Sequence, residues 1–291
     1  MIFWSASFIW YKEAYLYLGP ITLVLFRMIV ASIFLFGLST VLKQLERIKR
    51  KDIKYFLLLS IVEPLLYFLG ESHGMMLVSS TVGSVIVSTI PLFTPFAALL
   101  IYREKISWIK LVGISISFAG VLIVVIGKGF QLIAPIEGIA LMFLAVLSAV
   151  GHSVIIVALI PKYRILTIIL AQSLLGAIYF LPIFAFTELR EAMQIQWNWA
   201  VIEPILKLAI FPSSLSFILY ARTVRSIGIT RSNVFVNFIP VFTAIMAYFI
   251  LKEEMTPGKI FGILIVLTGL LVTQSRGFKS KTLKRKPKRF H

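Results

Sequence analysis

The sequence predicts an all-α integral membrane protein: ten transmembrane helices forming two inverted five-helix repeats, with the first helix N-terminally truncated. Three observations lead there: an excess of apolar residues, a regular alternation of apolar runs with basic loops, and a match of the chain to itself. Of 291 residues, 59% are hydrophobic and 14% charged, and the mean hydropathy is +0.96. Soluble domains are closer to half apolar and a quarter charged. Many stretches here are apolar on every face, so a fold in water would leave them exposed. Composition therefore excludes a cytosolic enzyme, a secreted disulfide module and a disordered chain.

A membrane span needs about 20 apolar residues. Charge clusters and turn residues bound ten apolar runs, near 1–11, 21–42, 55–73, 79–102, 108–127, 137–159, 165–187, 202–221, 231–251 and 257–274. The first run would rise only about 16 Å as a helix, roughly half a bilayer. It has no basic leading region and no small-residue cleavage site, so it does not read as a signal peptide. A start that lacks the first half of a helix is the expected explanation. The other is a genuine short helix tucked against its neighbours.

The formal charge is +17, from 29 Lys+Arg against 12 Asp+Glu. In a soluble protein such an excess suggests nucleic acid. Here it sorts by side instead, and no nucleic-acid partner is expected. Basic residues collect after the even runs: Lys43, Arg47, Lys49, Arg50, Lys51 and Lys54, then Arg103 and Lys105, Lys162 and Arg164, and Arg222, Arg225 and Arg231. Cytoplasmic loops carry such an excess, so the even loops and both termini are expected in the cytoplasm. The basic tail 275–291 reads as a topology anchor or as a binder of anionic headgroups.

The two halves match. Residues 81–122 align without gaps on 230–271 at an offset of 149, with 16 of 42 positions identical. The identities include Pro91 with Pro240, Glu104 with Glu253, Gly113 with Gly262 and Gly120 with Gly269. Weaker similarity pairs Thr22 with Thr167 and sets Arg27 opposite Gln172. The expected units are 1–127 and 128–274, followed by the tail. Five runs per half is an odd number, so the second half enters the membrane inverted. Inverted repeats with a midplane site between them characterise secondary transporters.

Specific residues also carry a family resemblance: Trp4-Ser-Ala-Ser-Phe8, Arg27, Ser79-Ser80-Thr81 leading to Ile90-Pro91-Leu92-Phe93, and Arg103-Glu104-Lys105 leading to Gly113 and Gly120. Their second-half partners are Ile239-Pro240-Val241-Phe242 and Lys252-Glu253-Glu254. On these the chain resembles the drug/metabolite transporter superfamily, EamA type, over nearly its whole length. It departs in the first span, which lacks about ten residues found before the Trp in relatives. The resemblance implies export or import of a small metabolite by alternating access without ATP, along a path lined by spans 1, 3, 4, 6, 8 and 9.

Candidate site residues follow from cost. Glu63 lies midway along the third run, where a carboxylate is expensive and by default functional. It is the candidate proton carrier and, with Tyr67, a candidate substrate ligand. A protonated, hydrogen-bonded packing role stays open. Glu63, Tyr67 and Glu71 are spaced i, i+4, i+8, so one helix face is expected to carry all three, with Glu71 near the watery outer end. Trp4, His152, Ser88, Asn233 and Asn237 are further candidate ligands, although such polar residues equally serve as helix–helix glue. Pro64, Pro91 and Pro240 are expected to kink their helices and free a carbonyl four residues earlier. Arg27 is expected to snorkel or pair with a carboxylate at the outer interface, with contact to an anionic substrate the alternative.

What is absent narrows the reading further. Cys is absent and the three His (His73, His152 and His291) are spread out, so no metal site is expected and no cofactor is implied. P-loop, HExxH and GxSxG motifs are missing. The expected partners are a small-molecule solute and the bilayer, with a homo-oligomer left open. The alternatives are a membrane enzyme acting on lipid, which would need a polar cluster at one face, and a non-transporting receptor.

Overall fold

A computed structural model describes residues 1–102, 107–126, 131–227 and 235–274. Among these residues the chain forms ten helical spans and no strand beyond one isolated bridge between Ile126 and Leu132. Span 1 is the helix Ile2–Ala14 and span 2 is Pro20–Val41. Span 3 is composite: Ile53–Ser60, a π-helical turn Ile61–Leu66, then Tyr67–Leu77. Span 4 joins Ser80–Val87 to Ile90–Tyr102. Spans 5, 6 and 7 are Trp108–Val125, Ile136–Leu159 and Ile165–Thr187. Span 8 runs Trp199–Ile210, a π-helical turn Phe211–Ser216, then Phe217–Ile227. Span 9 is a 3₁₀ turn Phe235–Phe238 followed by Ile239–Ile250, and span 10 is Pro257–Gln274. Spans 2, 3, 5, 6, 7 and 8 are long and apolar enough to cross a bilayer, spans 4, 9 and 10 are shorter apolar helices, and span 1 has 13 residues.

Local chemistry places the ends. Ser79 accepts from the Val82 N–H at 3.3 Å and Asn198 from that of Val201 at 3.2 Å, as N-caps do. Thr256 caps span 10 through the Lys259 N–H, and Pro257 occupies the first helical position, where its missing N–H costs nothing. The expectation of bends inside helices at Pro91 and Pro240 is refined. The chain leaves the helix after Val87 and starts a new one at Ile90, so Pro91 sits second in a fresh helix; Pro240 sits second after Ile239. Pro64 does interrupt span 3: Glu63 before it is extended, with φ −146° and ψ 116°, and the Glu63–Pro64 bond is cis. The helix-face argument is therefore corrected for Glu63, where the helical phase resets, and holds for Tyr67 and Glu71, which share the helix Tyr67–Leu77 and are hydrogen-bonded at 2.9 Å.

Spans 5 and 10 establish how the halves are related. A methyl group added to Gly113 would strike the Gly269 carbonyl and the Thr273 side chain. One on Gly120 would strike Val266 and the Gly262 carbonyl. As one number rises the other falls, so the two helices run antiparallel, with glycine permitting the close approach. Between these contacts Ser117 donates to the Val266 carbonyl at 3.0 Å. Residues 117 and 266 are equivalent at the offset of 149, so a pseudo-twofold axis passes beside them. Equivalent helices that are antiparallel across such an axis make the repeats inverted. The other interfaces obey the same exchange: span 2 packs on 7, span 3 on 6 as 8 on 1, and span 4 on 6 as 9 on 1.

The exchange extends to single side chains. Glu188, after span 7, accepts from the Ile21 and Thr22 N–H groups at 3.0 and 2.7 Å and from the Thr22 hydroxyl at 2.6 Å. Glu46, after span 2, accepts from the Arg164 N–H at 2.6 Å and the Thr167 hydroxyl at 3.4 Å. Each half thus caps the start of the other half's second helix, one cap at each face of the bundle. Deeper in, Arg27 Nε donates to Ser213 Oγ at 2.5 Å, and its counterpart Gln172 donates to the Glu63 carbonyl at 2.9 Å. In both cases the second helix of one repeat holds the π-helical turn of the other.

Candidate functional site

Between the repeats lies a cavity that is open in part to the outside. Spans 1, 2, 3, 4, 6, 8 and 9 all contribute: Trp4, Ser7 and Phe8; Arg27; Glu63, Tyr67, Phe68 and Glu71; Val87 and Ile90; Ala149, His152 and Ser153; Phe217 and Tyr220; Val236 and Ile239. These are the six spans the resemblance implies, with span 2 added through Arg27. The breaks decide which groups face it: the interruption at Glu63 turns that carboxylate away from the helical ladder and toward span 6.

Two polar clusters occupy the wall. In the first, Glu63 Oε2 lies 3.3 Å from His152 Nδ1, and both side chains are buried. His152 Nε2 is buried without a hydrogen-bond partner among the described residues. In the second, Glu71 accepts from the Tyr11 and Tyr67 hydroxyls at 2.7 and 2.9 Å and lies 4.0 Å from Arg27 Nη1. Arg27 also donates to the Tyr11 hydroxyl and stacks over the Phe68 ring at 4.4 Å. An aromatic cluster shares the wall: Trp4 meets Phe217 and Tyr220 edge-on, each at 5.4 Å between ring centroids, and Phe217 meets the His152 ring at 6.4 Å.

The structure brings Glu63, Tyr67, Trp4 and His152 together. Ser88 and Asn237 are buried but are not among the lining residues; the Ser88 hydroxyl donates to the Val85 carbonyl at 2.7 Å. Their neighbours Val87 and Val236 take the wall instead. Asn233 lies outside the described residues. Two expectations are corrected. Glu71 is buried rather than at a wet outer end, and Arg27 is buried in the cavity wall rather than at the interface. The reason is shared: each compensates the other, and the Tyr11 and Tyr67 hydroxyls complete the set. The aromatic partners Phe217 and Tyr220 were not singled out by sequence, because they follow a second π-helical turn that no spacing rule announced. Among the described residues no cluster of His, Cys, Asp and Glu can hold a metal ion.

A bundle of inverted helical repeats around a central cavity defines the class: a multi-pass helical membrane protein. Comparison with known proteins then specifies it. The model of the EamA-like transporter family matches residues 1–126 and 136–274, and the chain belongs to that family. It is 28% identical over 270 residues to an uncharacterized transporter of Archaeoglobus fulgidus, covering 93% of this chain and 94% of that one. It is 26% identical to the uncharacterized transporter YetK of Bacillus subtilis, covering 85% and 76%. It is 24% identical to an S-adenosylmethionine/S-adenosylhomocysteine transporter of Chlamydia trachomatis, covering 95% and 87%. A solved crystal structure of another protein shares the fold, with a TM-score of 0.69 at 11% identity, over 94% of this chain and 96% of that one. Family and relatives alike are transporters rather than enzymes, and a small-molecule substrate follows from that membership.

Proposed function

We propose that this chain is a secondary transporter that moves a small organic metabolite across the cytoplasmic membrane by alternating access. Glu63, Tyr67, Trp4 and His152 contact the solute, and Glu63 carries the coupling proton. The observation that carries the reading is the cavity between inverted halves, with a carboxylate and an imidazole 3.3 Å apart in its wall. Inverted halves are nearly equivalent structures that can exchange roles, so opening to one side implies a matching opening to the other. A proton on the Glu63–His152 pair changes the cavity's charge by one without moving the backbone. The alternation of basic loops supports an orientation with both termini in the cytoplasm. The relative that handles S-adenosyl compounds supports an amphipathic organic solute rather than an inorganic ion.

Flux into proteoliposomes under an imposed pH gradient tests this, using a panel of amino acids and nucleoside-like solutes. Wild type is expected to accumulate at least one solute. Glu63→Gln is expected to lose the dependence on the gradient, with rates down by at least about tenfold while solute exchange without a gradient persists. Unchanged pH dependence would remove Glu63 from coupling. No flux of any solute, from protein shown to be folded, would overturn transport.

A further inference from the structure

We propose that the cavity selects a solute carrying one net positive charge beside a planar ring, with Glu63 as the counter-charge and the Trp4–Phe217–Tyr220 wall as the ring's contact; this rests on the transport reading above. The argument is an inventory of charge. The charged side chains lining the cavity are Arg27, Glu63 and Glu71, with His152 charged only when protonated. Arg27 is engaged on every side: Glu71 at 4.0 Å, the Tyr11 and Ser213 hydroxyls by hydrogen bonds, and the Phe68 ring face at 4.4 Å. It has no direction left for a solute anion. Glu71 is matched by Arg27 and fully occupied by two tyrosine hydroxyls. These two charges cancel, which leaves Glu63.

The Glu63 carboxylate lies 3.3 Å from His152 Nδ1, and Arg27, Tyr67 and Tyr220 are close enough to act on it electrostatically. If Nδ1–H donates to the carboxylate, Nε2 becomes an acceptor, and it is buried with no partner among the described residues. Carboxylate and free acceptor together ask for a cation or a polarised N–H. Beside them the wall is aromatic, with Phe217 against the His152 ring at 6.4 Å, and an organic cation over such rings is attracted through their electron-rich faces. An anion would instead meet an uncompensated carboxylate in a poorly solvated chamber, where like charges repel strongly. A neutral ring would keep the stacking and lose the charge.

The probes are 1-methylnicotinamide, nicotinamide and nicotinate, three rings of nearly one shape bearing a positive, zero and negative charge. Binding is measured by titration calorimetry on the full chain in lipid nanodiscs. The cation is expected to bind at least about tenfold more tightly than either of the others. Glu63→Gln is expected to erase that preference, so that the cation and neutral nicotinamide bind within about twofold of each other. Trp4→Ala is expected to weaken all three, and Trp4→Phe to restore them. Equal binding of cation and neutral ring would overturn charge selection while leaving the cavity as a solute site. Tighter binding of nicotinate would reverse the assignment of Arg27. Failure of all three to bind would overturn this solute class, whereas the transport reading stands or falls separately on the flux panel.

Discussion

Arg27 is the residue whose removal the interior would feel most. A charge buried in a bilayer-spanning bundle persists only when paired and hydrogen-bonded, and Arg27 holds Glu71, Tyr11 and Ser213 at once. Arg27→Gln leaves Glu71 buried and uncompensated, at an expected cost of about 3–5 kcal/mol. The double variant Arg27→Gln/Glu71→Gln removes both charges and is expected to recover most of that loss. Thermal unfolding in detergent measures both; a double variant no more stable than the single one would show that the pair does not carry the effect. The second repeat shows what the position does without charge. Gln172 reaches the opposite π-helical turn with an amide instead of a guanidinium. The shared task is bridging the repeats, and the charge is particular to the cavity side. Equivalent positions of inverted repeats can therefore keep one packing duty while only one copy takes up chemistry.

At the level of elements, two reciprocal caps hold the halves together. Glu188 is almost fully buried and takes three donors at the start of span 2. Glu46 is about one-third exposed and takes two at the start of span 7. Losing a cap costs typically about 1 kcal/mol. Glu188→Ala is expected to reach or exceed that figure, because it strands buried N–H groups, while Glu46→Ala falls below it, since water replaces the lost acceptor. Melting temperatures of the two variants check the order, and a larger drop for Glu46→Ala would refute it. Much of the element level was legible in advance. Apolar run length marks a helix crossing lipid, and Thr256-Pro257 marks a helix start. The breaks were only half legible. A proline announces a lost N–H, but whether the chain bends, as around Pro64, or stops and restarts, as before Pro91, depends on what packs beside it. At Gly176 an added methyl would collide with the Pro64 ring, so span 7 helps shape that turn.

Across the whole molecule, the inverted relation makes a topological prediction. The chain contains no cysteine, so single cysteines report cleanly. Gln44→Cys and Ser226→Cys should react with a membrane-impermeant maleimide only from the cytoplasmic side, and Gln194→Cys only from outside. Labelling of Gln44→Cys and Gln194→Cys from the same side would contradict the inverted arrangement. The two halves meet in a close-packed seam between spans 5 and 10, where glycines let the backbones approach.

Membrane insertion, the number of spans and the inversion of the halves were determined by the sequence alone. Each is written in one dimension: the length of apolar runs, the alternation of basic loops, and an odd number of runs in a repeated unit. Which polar side chains meet was decided only in three dimensions. Glu63 reaches His152, and Arg27 reaches Glu71 and Ser213, across helices from distant parts of the chain. Their separations depend on how two twofold-related bundles pack and on where π-helical turns reset the helical phase. Periodicity along one helix carries no record of either, so of the polar candidates Glu63 and His152 lie in the cavity wall, while Ser88 and Asn237 are buried outside its lining.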